Sequence, residues 1–256
     1  MSLFLKCVNG SKVERPPIWF MRQAGRYLTE YRNTRKSAGS FLELCYNSDL
    51  ATEVTLQPID RFGFDAAILF ADILLLLDAL GVKVQFIEGQ GPILEPVKNK
   101  RDIQKISNIQ RIHENLSPVY ETVKKLKKQL PTETPLIGFA GAPWTLYRYM
   151  TGNNDASKID PFDGIEDIQK LTNLVIEHLS KQIEAGCDTV QIFDSWAGDL
   201  GDDHLIDYCF DPIAKIVETI RERHPDVGII AFPRLIGNEI KNFSIWTDPD
   251  LSLIHI

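Results

Sequence analysis

Short apolar runs alternate along the chain with longer stretches whose apolar positions recur at helical spacing, a pattern that predicts repeated β/α units. The runs Pro17–Met21, Asp65–Phe70, Leu136–Ala140, Thr189–Phe193 and Gly228–Phe232 are rich in Ile, Phe, Val or Leu. They read as buried parallel strands, with an additional strand expected near Val82–Phe86. Between them, Ser40–Phe62, Leu116–Leu130, Ile165–Ala185 and Leu205–His224 carry the helical period. Gly63 and Gly186 stand where helices end before the next strand, supplying the left-handed cap conformation. Such a series allows a doubly wound open sheet or a barrel, and periodicity alone separates neither. No GxGxxG follows the early strands, which disfavours dinucleotide binding. In a barrel, functional groups gather just past the C-terminal ends of strands, and the unusual polar residues fall there.

Composition narrows the function classes. With 44% apolar and 25% charged residues and no linker or repeat, one globular domain is expected over residues 1–250. The net charge of −7 gives a field that repels nucleic acid and anionic membrane, so an anionic ligand requires a local cationic pocket. Cys7, Cys45, Cys187 and Cys209 lack the close pairing of a zinc or redox motif. The N-terminus lacks the apolar core of a signal peptide, and Ala66–Leu80 is interrupted by Asp72 and Asp78 and too short to span a bilayer. A cytoplasmic protein is expected.

Arg22 and Arg26 flank Gln23, Ala24 and Gly25, small or compact residues that let the chain turn while two guanidinium groups project nearby. Two fixed cations suit a polycarboxylate, although any such pair also fits a solvated surface. Asp72 follows a strand-like run inside an apolar neighbourhood. There it either pairs with a backbone amide or faces N–H groups of a ligand. GFAGAPWTLYRY at 138–149 joins a strand to a helix through small residues, with Pro143 in the first turn and Tyr149 further along. TVQIFDSWAG at 189–198 ends in Asp194, Ser195 and Trp196, and no Gly-x-Ser-x-Gly elbow surrounds Ser195. The histidines show no metal-ligand spacing, and His178 reads as a packing or solvated residue of a helix.

In this order, PIWFMRQAGRY, AAILFADIL, GFAGAPWTLYRYM and QIFDSWAG resemble the principal motifs of the uroporphyrinogen decarboxylase family. The resemblance implies an α/β TIM (β/α)8 barrel, usually homodimeric. It implies a lyase that converts the four acetate side chains of uroporphyrinogen III to methyl groups, yielding coproporphyrinogen III. No metal or organic cofactor is implied. By position, Arg22, Gln23, Ala24, Gly25 and Arg26 form the substrate loop and Asp72 faces the pyrrole N–H groups. Tyr149 and Ser195 contact substrate, and Phe41 lines the pocket. Asp72 and Arg22 are the expected catalytic residues.

Two departures stand out. MTGNN follows Tyr149 where the family more commonly has an acidic residue and Gly, and the chain stops before the late Gly-His-Gly segment of the family. The barrel is therefore expected to be incomplete, its last strands missing. Leu251–Ile256 reads as an adapter-encoded, non-native tail. The rival readings are an inactive fragment that binds porphyrinogen and a corrinoid or thiol methyltransferase of the same superfamily, which needs a zinc-binding His and Cys set.

Overall fold

The computed structural model describes residues 2–87, 91–95, 109–152 and 161–252. Strands β1 (Ala67–Ile68), β4 (Leu136–Gly141), β5 (Thr189–Asp194), β6 (Gly228–Pro233) and β7 (Leu251–Ser252) form one parallel sheet, while β2 (Val84–Ile87) and β3 (Gly91–Leu94) pair antiparallel in a separate hairpin. The sheet order β1-β4-β5-β6-β7 follows the chain without reversal. That is the winding of a barrel, because a doubly wound sheet switches direction part-way. Among the described residues five strands are joined and the sheet does not close on itself. The strand expected at Val82–Phe86 thus belongs to the side hairpin.

Every residue of β4, β5 and β6 is buried, as expected for strands covered on both faces. Register assigns the two faces. Gly138 aligns with Val190, and a Cβ on Gly138 would meet Gln182 and Cys187, so this face packs on the helix Pro161–Ala185. The opposite, inner face carries Ile137, Phe139, Thr189, Gln191, Phe193, Gly228, Ile230 and Phe232. Near its N-terminal end it is covered by Val8, against which a Cβ on Gly228 would clash at 2.5 Å.

Pro17–Met21 is not a strand. Pro16 and Pro17 bring no N–H to a ladder. Instead Asp65 N–H donates to the Ile18 carbonyl at 2.9 Å, and the Asp65 carboxylate accepts from Ile18 N–H at 2.7 Å. Arg15 grips both oxygens of that carboxylate at 2.7 Å, and its hydrogen bonds hold Asp65 below the ordinary carboxylate range. A side chain does here what a strand was expected to do.

The predicted helix Ser40–Phe62 is two helices, Phe41–Tyr46 and Ser48–Phe62. Asn47 takes extended backbone angles, and its side chain caps the second helix by accepting from Asp49 and Leu50 N–H at 3.1 Å. This helix ends on Gly63 at φ 63°, as the glycine punctuation predicts. Leu205–His224 is interrupted by a π turn, Ile206–Phe210, before the helix Asp211–Arg223.

Candidate functional site

The loop after the N-terminal extended segment presents Arg22 and Arg26 at the surface, with Gln23 buried between them and Ala24 and Gly25 half-buried. Among the described residues Arg22 makes no hydrogen bond or ion pair, and its charge acts on Asp72. The loop is tied down elsewhere: Leu28 N–H donates to Gly25 at 3.0 Å, Arg32 donates to the Arg26 carbonyl at 2.7 Å, and Tyr27 OH donates to the Gln23 carbonyl.

Asp72 sits in the turn between β1 and the helix Leu75–Ala79. Its Oδ1 accepts from Leu74 N–H at 2.9 Å, so the carboxylate does cap a turn. The second oxygen has no hydrogen-bond partner among the described residues. Burial among apolar side chains pushes the acid up to about 6, against the lowering effects of the Leu74 amide and of Arg22. A carboxylate poised at that value ionises near neutrality, and its open oxygen can receive N–H groups of a ligand.

The turn rests on the end of β4. A Cβ on Gly141 would stand 3.3 Å from the Ile73 carbonyl oxygen, so any larger residue would push the Asp72 turn outward by a few tenths of an ångström. Phe41 approaches from its own helix and meets Phe70, two residues before Asp72, with ring centroids 5.8 Å apart. The structure therefore brings the charge of Arg22 to bear on Asp72 and packs Phe41 on Phe70 in the segment that leads to Asp72.

Tyr149, on the helix after β4, and Ser195, just past the end of β5, form a second group around Trp196. Tyr149, in the helix Pro143–Thr151, packs edge-on against Trp196 at 6.0 Å. Trp196 is braced by Trp144 Nε1–H, which donates to its carbonyl at 3.0 Å, and by the Arg148 guanidinium 4.0 Å above its ring. Ser195 is half-buried beside it. Adjacent strands lie about 4.8 Å apart, so the ends of β1 and β5 are separated by roughly 10 Å. Asp194 turns to the other face: it is fully buried, accepts from Thr145 Oγ1 at 2.6 Å, and is pushed up to about 6 by desolvation.

Three aromatics line up on the inner face of β4, β5 and β6. Phe139 meets Phe193 at 5.4 Å, and Phe193 meets Phe232 at 6.1 Å, both edge to face. This wall was not singled out in the sequence, although the i, i+2 period of buried strands places all three on one face. Phe139 is held from behind. Gln182 accepts from its N–H at 2.9 Å and donates to its carbonyl at 2.8 Å, and its second N–H faces His178 Nε2 at 3.0 Å. His178 Nε2 must then accept, which puts the ring proton on Nδ1, facing Tyr120 OH at 3.1 Å. Burial lowers His178 to about 3, so the ring is neutral and has the packing role expected of it.

A recess on the helical exterior is lined by Glu30, Asp49, Glu53 and Asp60. Its charge is the wrong sign for a polycarboxylate, which leaves the strand ends as the candidate site. The segment after Tyr149 that departs from the family pattern runs into residues 153–160, outside the described residues.

The family model described as uroporphyrinogen decarboxylase (URO-D) matches residues 1–244. The chain belongs to the uroporphyrinogen decarboxylase family. Among curated members, the uroporphyrinogen decarboxylase of Ruegeria pomeroyi is 48% identical over 255 residues, covering 96% of this chain and 74% of the relative. That of a Chelativorans species is 50% identical over 242 residues, covering 91% and 70%. Among solved structures, a methyltransferase from Methanosarcina mazei superimposes with a TM-score of 0.74 at 17% identity, covering 89% of this chain and 67% of that one. That likeness supports the barrel-type fold. Membership of the uroporphyrinogen decarboxylase family makes the chain a carboxy-lyase, and the arginine loop, the Asp72 turn and the two strand-end groups lie within the matched region.

Proposed function

We propose that this chain decarboxylates the four acetate side chains of uroporphyrinogen III to methyl groups, giving coproporphyrinogen III, at the site framed by Arg22, Asp72, Tyr149 and Ser195. The observation that carries the site assignment is Asp72, a carboxylate with one open oxygen in an apolar rim and the positive charge of Arg22 bearing on it. Protonation of a pyrrole carbon turns the ring into an electron sink, the C–C bond to the carboxylate breaks as CO2 leaves, a proton is added to the exocyclic carbon, and the ring carbon then gives up its own proton to restore the pyrrole, so that one proton is taken up for each CO2 released. Ionised Asp72 receives the pyrrole N–H groups and stabilises the cationic ring. Arg22 and Arg26 orient side-chain carboxylates, and Arg22 also favours the ionised form of Asp72. Phe41, Phe139, Phe193 and Phe232 supply the apolar wall against the macrocycle. No metal or organic cofactor takes part in this scheme.

A homodimer in the cytoplasm accompanies this reading. Its four cysteines are free thiols, and no helix among the described residues is long and apolar enough to cross a membrane. The methyltransferase alternative requires a His and Cys cluster, and among the described residues no such group assembles.

Incubation with uroporphyrinogen III, followed by chromatographic separation of products, tests the assignment. Coproporphyrinogen III is expected, with an activity lost in Arg22→Met and Asp72→Ala. Binding without product would favour the porphyrinogen-binding fragment. Neither binding nor product would reject the site.

A further inference from the structure

Gln23 lies between the two arginines of the loop, yet only 2% of it is exposed. Its Nε2 donates to the Ala66 carbonyl at 2.7 Å and its Oε1 accepts from Ile68 N–H at 3.1 Å. Ala66 and Ile68 flank Ala67 on the edge of β1 that faces away from β4, since Ala67 and Leu69 N–H are the groups that donate to β4 or its lead-in. In a parallel ladder, one residue opposite Ala67 would give its N–H to the carbonyl of Ala66 and take the N–H of Ile68. The primary amide of Gln23 reproduces that single residue of ladder. Moving it to a ligand would orphan two buried backbone groups, the Ala66 carbonyl and the Ile68 N–H.

We propose that Gln23 is the positioning residue of the arginine loop, docking the loop on the edge of β1 so that Arg22 and Arg26 are held in register with the Asp72 turn that β1 leads into. This rests on the site proposed above. The rest of the loop agrees with it. The Gln23 carbonyl is held by Tyr27 OH and the Arg26 carbonyl by Arg32, so main-chain freedom is removed from the amide anchor through Arg26 while the Arg22 side chain stays available.

The test uses the whole chain and uroporphyrin I, the oxidised octacarboxylate, with binding read by porphyrin fluorescence and folding by circular dichroism melts. Gln23→Met keeps the volume and removes both hydrogen bonds. It is expected to weaken binding by about tenfold or more, the cost of misplacing two charge-assisted contacts. Gln23→Glu adds a pH signature. Ionised, it sets a carboxylate oxygen against the Ala66 carbonyl. Protonated, it restores the donor and acceptor pattern of the amide. Its affinity relative to the original chain at the same pH is therefore expected to recover as pH falls from 8 to about 5. A folded Gln23→Met protein with unchanged affinity overturns the proposal. So does a Gln23→Glu protein whose relative affinity ignores pH, which serves if the Met variant does not fold. The double variant Arg22→Met, Arg26→Met separates the two levels. If it also binds normally, the site assignment itself has failed. If it loses binding while Gln23→Met does not, only the positioning role has.

Discussion

Asp72→Asn separates the stability of this protein from its chemistry. Burial raises the acid from its ordinary 3.8 to about 6, equivalent to about 3 kcal/mol of folding free energy lost when the group ionises. Because Asp72 keeps part of its surface open to solvent, about 1–2 kcal/mol is the better figure. The sign follows from proton binding: between pH 4 and 6 the folded form holds the proton more tightly than the unfolded chain. Stability therefore falls as pH rises through that window and stays low above it. Asparagine has no charge to desolvate, and its carbonyl oxygen can still accept from Leu74 N–H. Asp72→Asn is thus expected to be more stable than the original chain by about 1–2 kcal/mol at pH 8 and nearly equal at pH 4, while decarboxylation is abolished. Urea unfolding at pH 8, 6 and 4, run beside product chromatography, measures both. A variant that is destabilised at pH 8, or whose stability difference does not change with pH, would refute the burial argument. Retained activity would refute the catalytic role of the anion.

His178 acts with the opposite sign. It is neutral when folded and lowered to about 3 by burial, so the unfolded chain binds the extra proton below pH 6.5 and stability is lost as pH falls from 6.5 toward 3. His178→Gln keeps a neutral hydrogen-bonding group beside Gln182 and is expected to flatten that acid limb in melts between pH 7 and 4; an unaltered slope would count against it. Gly198→Ala should cost about 2 kcal/mol or more, because its Cβ would fall 2.5 Å from the Leu235 carbonyl oxygen. Leu235 already sits at φ 63° and has little room to yield. Thermal melts would expose the loss, and a melting temperature within a degree of the original would contradict it.

What the chain determines locally was legible in it. Leu136–Ala140, Thr189–Phe193 and Gly228–Phe232 became strands because unbroken apolar runs of that length bury both faces, and Gly63 ended a helix because φ is cheap there only for glycine. The order of motifs placed Asp72 and Ser195 just past strand ends, and Tyr149 on the helix that follows a strand. Tertiary structure decided the rest, through partners distant in sequence. Pro17–Met21 has strand composition, but Pro17 and the preceding Pro16 lack the ladder donors, and the carboxylate of Asp65 and the amide of Gln23 make main-chain hydrogen bonds in place of a paired strand across more than forty residues. Val82–Phe86 carries strand propensity, and its pairing with Gly91–Leu94 placed it outside the main sheet. His178 looked like any helical histidine until Tyr120 and Gln182 closed around it and made its charge unaffordable. The raised pKa of Asp72 belongs to the same class: desolvation is a property of the packed neighbourhood, and no residue type or spacing contains it.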